Sequence, residues 1–481
     1  MVDSRKLDGK LRGKQDADFI FHEFTRSICP QCKRVIDAQV IIRDKKVYMR
    51  KRCPDHGWFE GIISSDAKMY VDSIGFNKPG TIPLDFTTEV DKGCPLDCGL
   101  CPEHKQHICL ALIEVNTGCN LDCPICFADA GAGFSLTLEQ VEGMLDRYVE
   151  TEGNPEVVQF SGGEPTIHPG LPAMIQAAMD RGIGQVMVNT NGIRLARDDK
   201  FLETMAKLNP VIYFQFDGLR RETYRTIRGE DLLETKLLAL DRMERVGLDA
   251  VLVAAIEHDI NLDEVGAILE FGLENPAVRG VVLQPVTHVG RHIPFDAMRR
   301  VTIPDVIHGI VEQTNGRFLL EDFVPVPCCF PTCQVNSYVY VDEGQVTPLP
   351  RLLKIEDYLD YITNVALPKV PDAAQIREAL EGLWSASAVP GSDKTTDQFQ
   401  CACGPGLDLP FGIDHLNKHI FQIAIKDFLD AYTFNVKQVM KCCVAVLVPD
   451  GRSIPFCAYN SVGYREQVRE ELTRQQKEGK F

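Results

Sequence analysis

Between residues 111 and 300 the apolar positions change rhythm repeatedly. Short runs of consecutive or alternating apolar residues give way to stretches in which they recur every three or four positions. The first pattern predicts strands and the second amphipathic helices. Strands are expected at Ala111–Val115, Val157–Phe160, Gln185–Asn189, Val211–Phe216, Ala250–Ile256 and Gly280–Gln284, with helices near 137–151, 170–181, 198–208, 231–246 and 262–274. Six strand–helix repeats with short connections imply a parallel α/β architecture, a partial (β/α)6 barrel of TIM-like form. In such folds the chemistry collects at the C-terminal ends of the strands.

On either side the rhythm differs. Residues 24–63 read as a small β-rich module in which Val40-Ile41-Ile42 and Val47-Tyr48-Met49 flank the turn at 43–46. Residues 64–93, with Pro79, Gly80 and Pro83, read as a connector. Beyond 300 the pattern predicts an α+β region, with strands near Tyr338–Val341 and Val444–Val448, helices near 355–363, 372–384 and 414–430, and a loop over 387–405. The expected division is 1–80 for the module and connector, 81–110 for a cysteine-dense segment, 111–300 for the barrel, and 301–481 for the C-terminal part.

Composition narrows the class. With 44% hydrophobic and 25% charged residues the chain is globular, and it has no run of about 18 apolar residues that could span a bilayer. Met1–Lys14 is polar and mixed in charge, without the apolar core of a secretory signal, so a cytoplasmic location is expected. A net charge of −17 argues against a broad grip on nucleic acid or anionic membrane. The one local exception to test is a basic patch at Arg220, Arg221, Arg225 and Arg228.

The 18 cysteines change the picture most, because thiols kept reduced in a cytosol usually mean metal or catalysis rather than disulfides. They fall in tight groups. Cys119-x3-Cys123-x2-Cys126 follows directly on the first barrel strand and supplies three thiolates on one loop. A cubane needs four ligands, so three leave one iron open to chelate an external molecule. C-x2-C alone is also common at zinc sites, and the strand context is what favours a cluster. Upstream, Cys94, Cys98 and Cys101 repeat the same spacing, and Cys109 offers a fourth thiolate that would close an auxiliary [4Fe-4S] cluster. His104 and His107 are expected near that cluster without ligating it. Cys29, Cys32, Cys53 and His56 fit a closed tetrahedral site for one mononuclear Zn or Fe. Near the C-terminus neither Cys328-Cys329-x3-Cys333 nor Cys442-Cys443-x13-Cys457 closes a site alone, so one further cluster bridging them is expected. Its leading ligands are Cys328, Cys333, Cys443 and Cys457, with Cys329, Cys442, Cys401 and Cys403 as substitutes.

The three-cysteine loop in this place resembles the radical S-adenosylmethionine (SAM) signature, with Ile125 standing where that signature usually has an aromatic residue. Ser161-Gly162-Gly163-Glu164-Pro165 at the end of the second strand resembles the motif that receives the SAM amino group, and by the same resemblance Asn191, Asp217 and Arg228 would face its ribose or carboxylate. Further strand-end candidates are Thr190-Asn191-Gly192, Gln215, Glu257 and Gln284-Pro285. Taken with the knuckle module, the run Cys94–Cys109 and the late segment Pro449–Asn460, the order of motifs resembles the family that contains archaeal tetraether lipid synthase and proteins named 7,8-dihydro-6-hydroxymethylpterin dimethyltransferase. The resemblance implies [4Fe-4S] clusters, cleavage of SAM to methionine and a 5'-deoxyadenosyl radical, and hydrogen abstraction from an unactivated carbon. It also implies an external reductase, ferredoxin or flavodoxin as electron donor. The expected reaction is carbon–carbon coupling of lipid chains, with peripheral membrane contact in that case. Methylation of a pterin is the alternative, and a non-catalytic electron-transfer protein is the reading from another class; no nucleic-acid partner is expected.

Overall fold

The computed structural model describes residues 17–342, 344–351 and 419–479. Two sheets organise them. Four antiparallel strands, β1 (Ile20–Ile28), β2 (Val35–Arg43), β3 (Lys46–Cys53) and β4 (Gly57–Ser64), make the N-terminal module in simple sequence order. The predicted turn at 43–46 is the β2–β3 hairpin, and its Asp44 and Lys45 both take positive φ. The expected connector holds one helix, Ala67–Ile74, started by the Asp66 carboxylate accepting from the Met69 N–H at 3.0 Å.

The second sheet has twelve strands and carries the barrel. Its centre is the six-strand series predicted from the rhythm: β5 (Leu110–Asn116), β6 (Val157–Gly162), β7 (Gln185–Thr190), β8 (Val211–Gln215), β9 (Ala250–Ile256) and β10 (Val278–Pro285), all parallel and paired in sequence order. The helices between them bury their apolar stripes against the sheet, as Val141, Met144, Leu145 and Tyr148 do for Leu138–Glu152.

After β10 come β11 (Val324–Pro325), β12 (Gln334–Asp342), β13 (Gln345–Pro348), β14 (Ile420–Lys426), β15 (Val444–Leu447) and β16 (Ser453–Pro455). These strands extend the barrel sheet at both edges. β14 pairs parallel with β10, β15 pairs parallel with β5, and antiparallel β12 and β16 lie outside them. The helix expected over 414–430 is therefore corrected. Ile420-Phe-Gln-Ile-Ala-Ile is a strand buried on both faces between β10 and β12, where a near-continuous apolar run is what the position requires. The helices expected at 355–363 and 372–384, the loop at 387–405, and Cys401 and Cys403 lie outside the described residues.

The module's inner face sits on the C-terminal part of this sheet. Thr25 Oγ1 donates to Asn435 at 2.7 Å, Lys51 Nζ to the Ala431 carbonyl at 2.5 Å, and the Ile62 N–H to the Ala297 carbonyl at 3.0 Å. Beneath the seam lies a buried ion cluster. Arg300 donates to Asp430 at 2.7 Å and stands 3.7 Å from Asp427, while His288 lies between Glu257 (3.4 Å) and Asp430 (3.5 Å). Burial pushes the Asp427 carboxyl up to about 6. The basic patch suggested by sequence is neutralised, since Arg220 pairs with Asp263 and Glu264, Arg221 with Asp231 and Glu234, Arg225 with Glu222 and Asp231, and Arg228 with Asp217. No helix of the described residues is long and apolar enough to cross a membrane.

Removing one member of a buried charge cluster leaves its partners uncompensated, which costs about 3–5 kcal/mol. Arg300→Met is expected to lower stability by that amount, read as a lower urea midpoint under anaerobic conditions, whereas exposed Arg299→Met leaves the midpoint unchanged.

Candidate functional site

β5 ends at Asn116, and the chain turns directly into the loop that carries Cys119, Cys123 and Cys126. All three thiols open on one cavity of about 230 Å³ inside the barrel. The loop is held from several sides. From β6, the Gly163 N–H donates to the Asn116 carbonyl and the Glu164 N–H to the Gly118 carbonyl, each at 2.9 Å. That approach requires glycine, because a Cβ at residue 163 would stand 2.2 Å from the Gly118 carbonyl oxygen. From the other side, the Ile125 N–H donates to the Ile227 carbonyl and the Cys126 N–H to the Arg291 carbonyl.

The buried Glu164 carboxylate accepts from the Thr166 N–H (3.0 Å), the Thr166 hydroxyl (2.5 Å), the Thr190 hydroxyl (2.7 Å) and the Asn191 N–H (2.8 Å). Its hydrogen-bonding capacity goes into joining the ends of β6 and β7. Asn191 in turn donates from its side chain to Asn120 in the cysteine loop at 2.7 Å. Asp217 and Arg228, expected to face an external ligand, form a bidentate pair with each other at 2.6 Å and 2.6 Å, almost fully buried. The reason is that the helix Arg221–Arg228 folds back over the end of β8. The guanidinium also reaches the Ile125 carbonyl and lies beside the Cys123 thiol, so the pair braces the cysteine loop.

One residue here escaped sequence reasoning. Lys236, on the helix Leu233–Val246, is fully buried; its Nζ donates to the Asn191 carbonyl at 2.6 Å and lies 5.2 Å from the Phe214 ring centroid. Burial pulls its amine down to about 7. The peptide of Asn191 is thus clamped by Glu164 on its N–H and by Lys236 on its carbonyl. A lysine in an amphipathic helix reads as a solvent contact, and no local signal distinguishes this one.

The cavity wall beyond the loop is mixed. Gln159, Asn189, Gln215 and Gln284 project amides from β6, β7, β8 and β10, and Tyr213 accepts from Gln284 Nε2 at 2.9 Å. Glu114 is paired with Arg465 at 2.6 Å and accepts from the Tyr459 hydroxyl at 3.0 Å. Phe127, Phe428 and Phe456 pack together at centroid distances of 4.8–5.7 Å and line the cavity next to Cys126.

The remaining cysteines divide differently from the expected sets. Cys94, Cys98 and Cys101 line one small hollow with Val439, Met440 and Pro455. Cys109 is grouped instead with Cys328 and Cys443, all three sulfurs within 4.8 Å of one another. The sheet register dictates this: Leu110 pairs with Val444, so the residues just before β5 and β15 must be neighbours, and the Cys109 N–H donates to the Cys443 carbonyl at 2.9 Å. Cys457 faces Cys442, with Cys333 nearby, so the expected set of Cys328, Cys333, Cys443 and Cys457 is split between two places. His104 is buried and bonded to the Cys442 carbonyl at 2.8 Å, and burial holds it neutral, pushed down to about 4. His107 Nε2 lies 3.4 Å from the Cys109 sulfur.

The N-terminal set is brought together. Cys32 and Cys53 sulfurs are 3.9 Å apart, and His56 Nδ1 lies 3.6 Å from Cys29 and 3.4 Å from Cys53. A tetrahedron with metal–sulfur bonds of about 2.3 Å and metal–nitrogen bonds of about 2.0 Å has edges of roughly 3.5–3.8 Å, so the four donors fit one ion.

Lys236→Met would leave the buried Asn191 carbonyl without a donor, at a cost of about 1–3 kcal/mol. The expected outcome is a lower unfolding midpoint partly restored by Lys236→Arg; equal midpoints for the methionine variant and the parent would contradict the clamp.

Comparison with known proteins agrees with this geometry. A model of the radical SAM superfamily matches residues 113–272, and one of the HMPTM N-terminal zinc ribbon domain matches residues 21–65. A 7,8-dihydro-6-hydroxymethylpterin dimethyltransferase from Methanocaldococcus jannaschii is 34% identical, over 93% of this chain and 95% of that protein. A GTP 3',8-cyclase from Chlorobaculum tepidum is 36% identical over 27% of this chain and 39% of that protein. Among solved structures, Streptococcus suis SuiB bound to S-adenosylmethionine aligns at 16% identity over 44% of this chain and 47% of that one, with a TM-score of 0.37. By its matched domain and a relative similar along almost its whole length, the chain is a radical SAM enzyme and belongs to the family of the M. jannaschii pterin dimethyltransferase.

Proposed function

We propose that this enzyme is a radical SAM C-methyltransferase acting on a pterin-type ring. The observation that carries the reading is a single cavity that joins the three-cysteine loop to a wall of side-chain amides. Gln159, Asn189 and Gln284 each carry a donor and an acceptor, and Gln215, whose oxygen accepts from Arg228, keeps a donor, which suits the lactam and amino-pyrimidine edge of a pterin. An extended alkyl chain has no use for them. The M. jannaschii relative, named for pterin dimethylation, points the same way. Lipid-chain coupling, the leading expectation from sequence, is therefore the weaker reading.

In this proposal Cys119, Cys123 and Cys126 hold the [4Fe-4S] cluster, which when bound supplies the reductive cleavage of SAM. The chain's own residues do the rest. Gly162 and Gly163 bring the β6 backbone against the cysteine loop, Glu164 and Lys236 fix Asn191, and the Asp217–Arg228 pair keeps the loop from shifting. Phe127, Phe428 and Phe456 give the side of the cavity next to Cys126 an apolar wall of packed rings that excludes water. Cys94, Cys98 and Cys101 form one auxiliary site, and Cys109, Cys328 and Cys443 another. β5 separates Cys109 from the three-cysteine loop by seven residues, about 20 Å at the rise of a strand. Leu110 and Val444, next to Cys109 and Cys443, line the same cavity, so the substrate would lie between an initiating site and an auxiliary one. Cys29, Cys32, Cys53 and His56 hold a single ion that closes the N-terminal module.

The test is anaerobic reconstitution with SAM, dithionite and 7,8-dihydro-6-hydroxymethylpterin, followed by mass spectrometry. The expected products are 5'-deoxyadenosine and, with a one-carbon donor added as the source of the transferred carbon, a pterin gaining one or two methyl groups. Cys119→Ala, Cys123→Ala and Cys126→Ala abolish both products. Gln159→Leu and Gln284→Leu raise the pterin KM while 5'-deoxyadenosine still forms. An unmodified pterin together with coupling of an added diether lipid would overturn the reading in favour of the lipid synthase.

A further inference from the structure

Five Lys, Arg and Glu side chains line the barrel cavity, and four of them are satisfied within the chain. Glu114 is paired with Arg465 and Arg228 with Asp217, while Glu164 accepts from Thr166, Thr190 and Asn191. The fifth is Lys426, the half-buried last residue of β14. Among the described residues its ammonium has neither a carboxylate nor a hydrogen-bond acceptor. The centroid of the Phe428 ring lies 5.6 Å away, and the Cys333 and Cys442 thiols feel its charge without bonding to it. Sheet register puts this cation in the lumen. Val282 of β10 stands opposite Ala424 of β14, and both pack with Val253 on the cavity wall, whereas Ile423 and Ile425 turn to the other face and join the core. Gln284 and Lys426 follow two residues later on the lumen side, so the ammonium ends the arc of amides next to Gln284. Gln284 supplies no countercharge and gives its amide N–H to the Tyr213 hydroxyl at 2.9 Å. A charge drawn partly out of water without a partner is costly, and here the missing partner is one that enters the cavity.

Resting on the pterin reading above, we propose that Lys426 receives a phosphate ester carried by the substrate, borne in a pterin by the oxygen of its hydroxymethyl arm. The ring itself is neutral, and side-chain amides are enough to read its lactam and amino-pyrimidine edge. The arm is the place where such a substrate gains an anion. A planar carboxylate is matched by the fork of a guanidinium, whereas an ammonium is a point charge with three rotatable donors, which suits the tetrahedral oxygens of a phosphate. The two guanidinium groups on the wall are already engaged by Asp217 and Glu114. The amides would then fix the face and direction of the ring, and Lys426 would fix how far along the wall it sits.

The experiment uses the reconstituted full-length holoenzyme under anaerobic conditions and measures Kd by equilibrium dialysis with mass spectrometry. The two ligands are 7,8-dihydro-6-hydroxymethylpterin and its monophosphate. The monophosphate is expected to bind about tenfold or more tightly than the alcohol, as one charge-assisted contact allows. Added salt should weaken the monophosphate and leave the alcohol unchanged. Lys426→Gln is expected to bring the two Kd values within about twofold of each other, and Lys426→Arg to keep most of the preference. Equal Kd values in the parent enzyme overturn the proposal, as does a preference that persists in Lys426→Gln. If Lys426 serves the Cys333 and Cys442 thiols or the carboxylate of SAM instead, Lys426→Gln changes the metal content or the SAM Kd while the ratio of the two pterin Kd values stays that of the parent, and the proposal falls. Methylation of neither pterin would defeat the functional reading without deciding this one. The same comparison is then made with a diether lipid bearing a phosphate headgroup and one lacking it: a preference lost in Lys426→Gln upholds the phosphate site, and no preference overturns it.

Discussion

The parallel pairing of β15 with β5 is the constraint on which the metal-binding architecture depends. β5 is a single seven-residue strand, yet it has Cys109 immediately before it and the Cys119 loop immediately after it. Setting Val444 beside Leu110 draws Cys443 against Cys109 and aligns the C-terminal cysteines with the start of the barrel. Because the pairing is parallel, its register is fixed by the strands themselves rather than by a short turn, and the segments being joined lie more than three hundred residues apart in sequence. Slippage by one residue would turn every side chain of β15 to the opposite face and carry Cys443 away from Cys109. Backbone hydrogen bonds of an ordinary sheet thus decide which thiols are brought together.

The barrel itself was legible. The alternation of strand and helix rhythm placed all six central strands to within two residues at every end, because each strand is buried on both faces and each helix on one. Two misreadings have physical causes. Ile420–Lys426 reads equally well as the apolar side of a helix or as a buried strand, and only its insertion between β10 and β12 settles the choice. Cys109 was assigned by nearness along the chain to Cys94, Cys98 and Cys101, whereas sheet register places it beside Cys328 and Cys443. Within the site, cysteines and glycines announced themselves by spacing. Lys236, which closes the clamp on Asn191, did not, since a buried amine is recognisable only from the carbonyl it meets.

Around the initiating loop, polar groups mostly satisfy one another. The Asp217 carboxylate is held by Arg228, and that of Glu164 by Thr166, Thr190 and Asn191. Few of them need a ligand to be satisfied. This gives a loop whose geometry is set before any ligand arrives, and a preformed site loses little freedom when it engages its target. The amides deeper in the cavity, on the strands themselves, are the groups left to read what enters.

The glutamate of the Gly162-Gly163-Glu164 motif bears on how freely the cavity of this enzyme can be altered. Its carboxylate ties strand ends to each other and asks nothing of the molecule being transformed. In this chain the lumen amides Gln159, Asn189 and Gln284 can therefore be exchanged without removing a hydrogen bond that holds the cysteine loop.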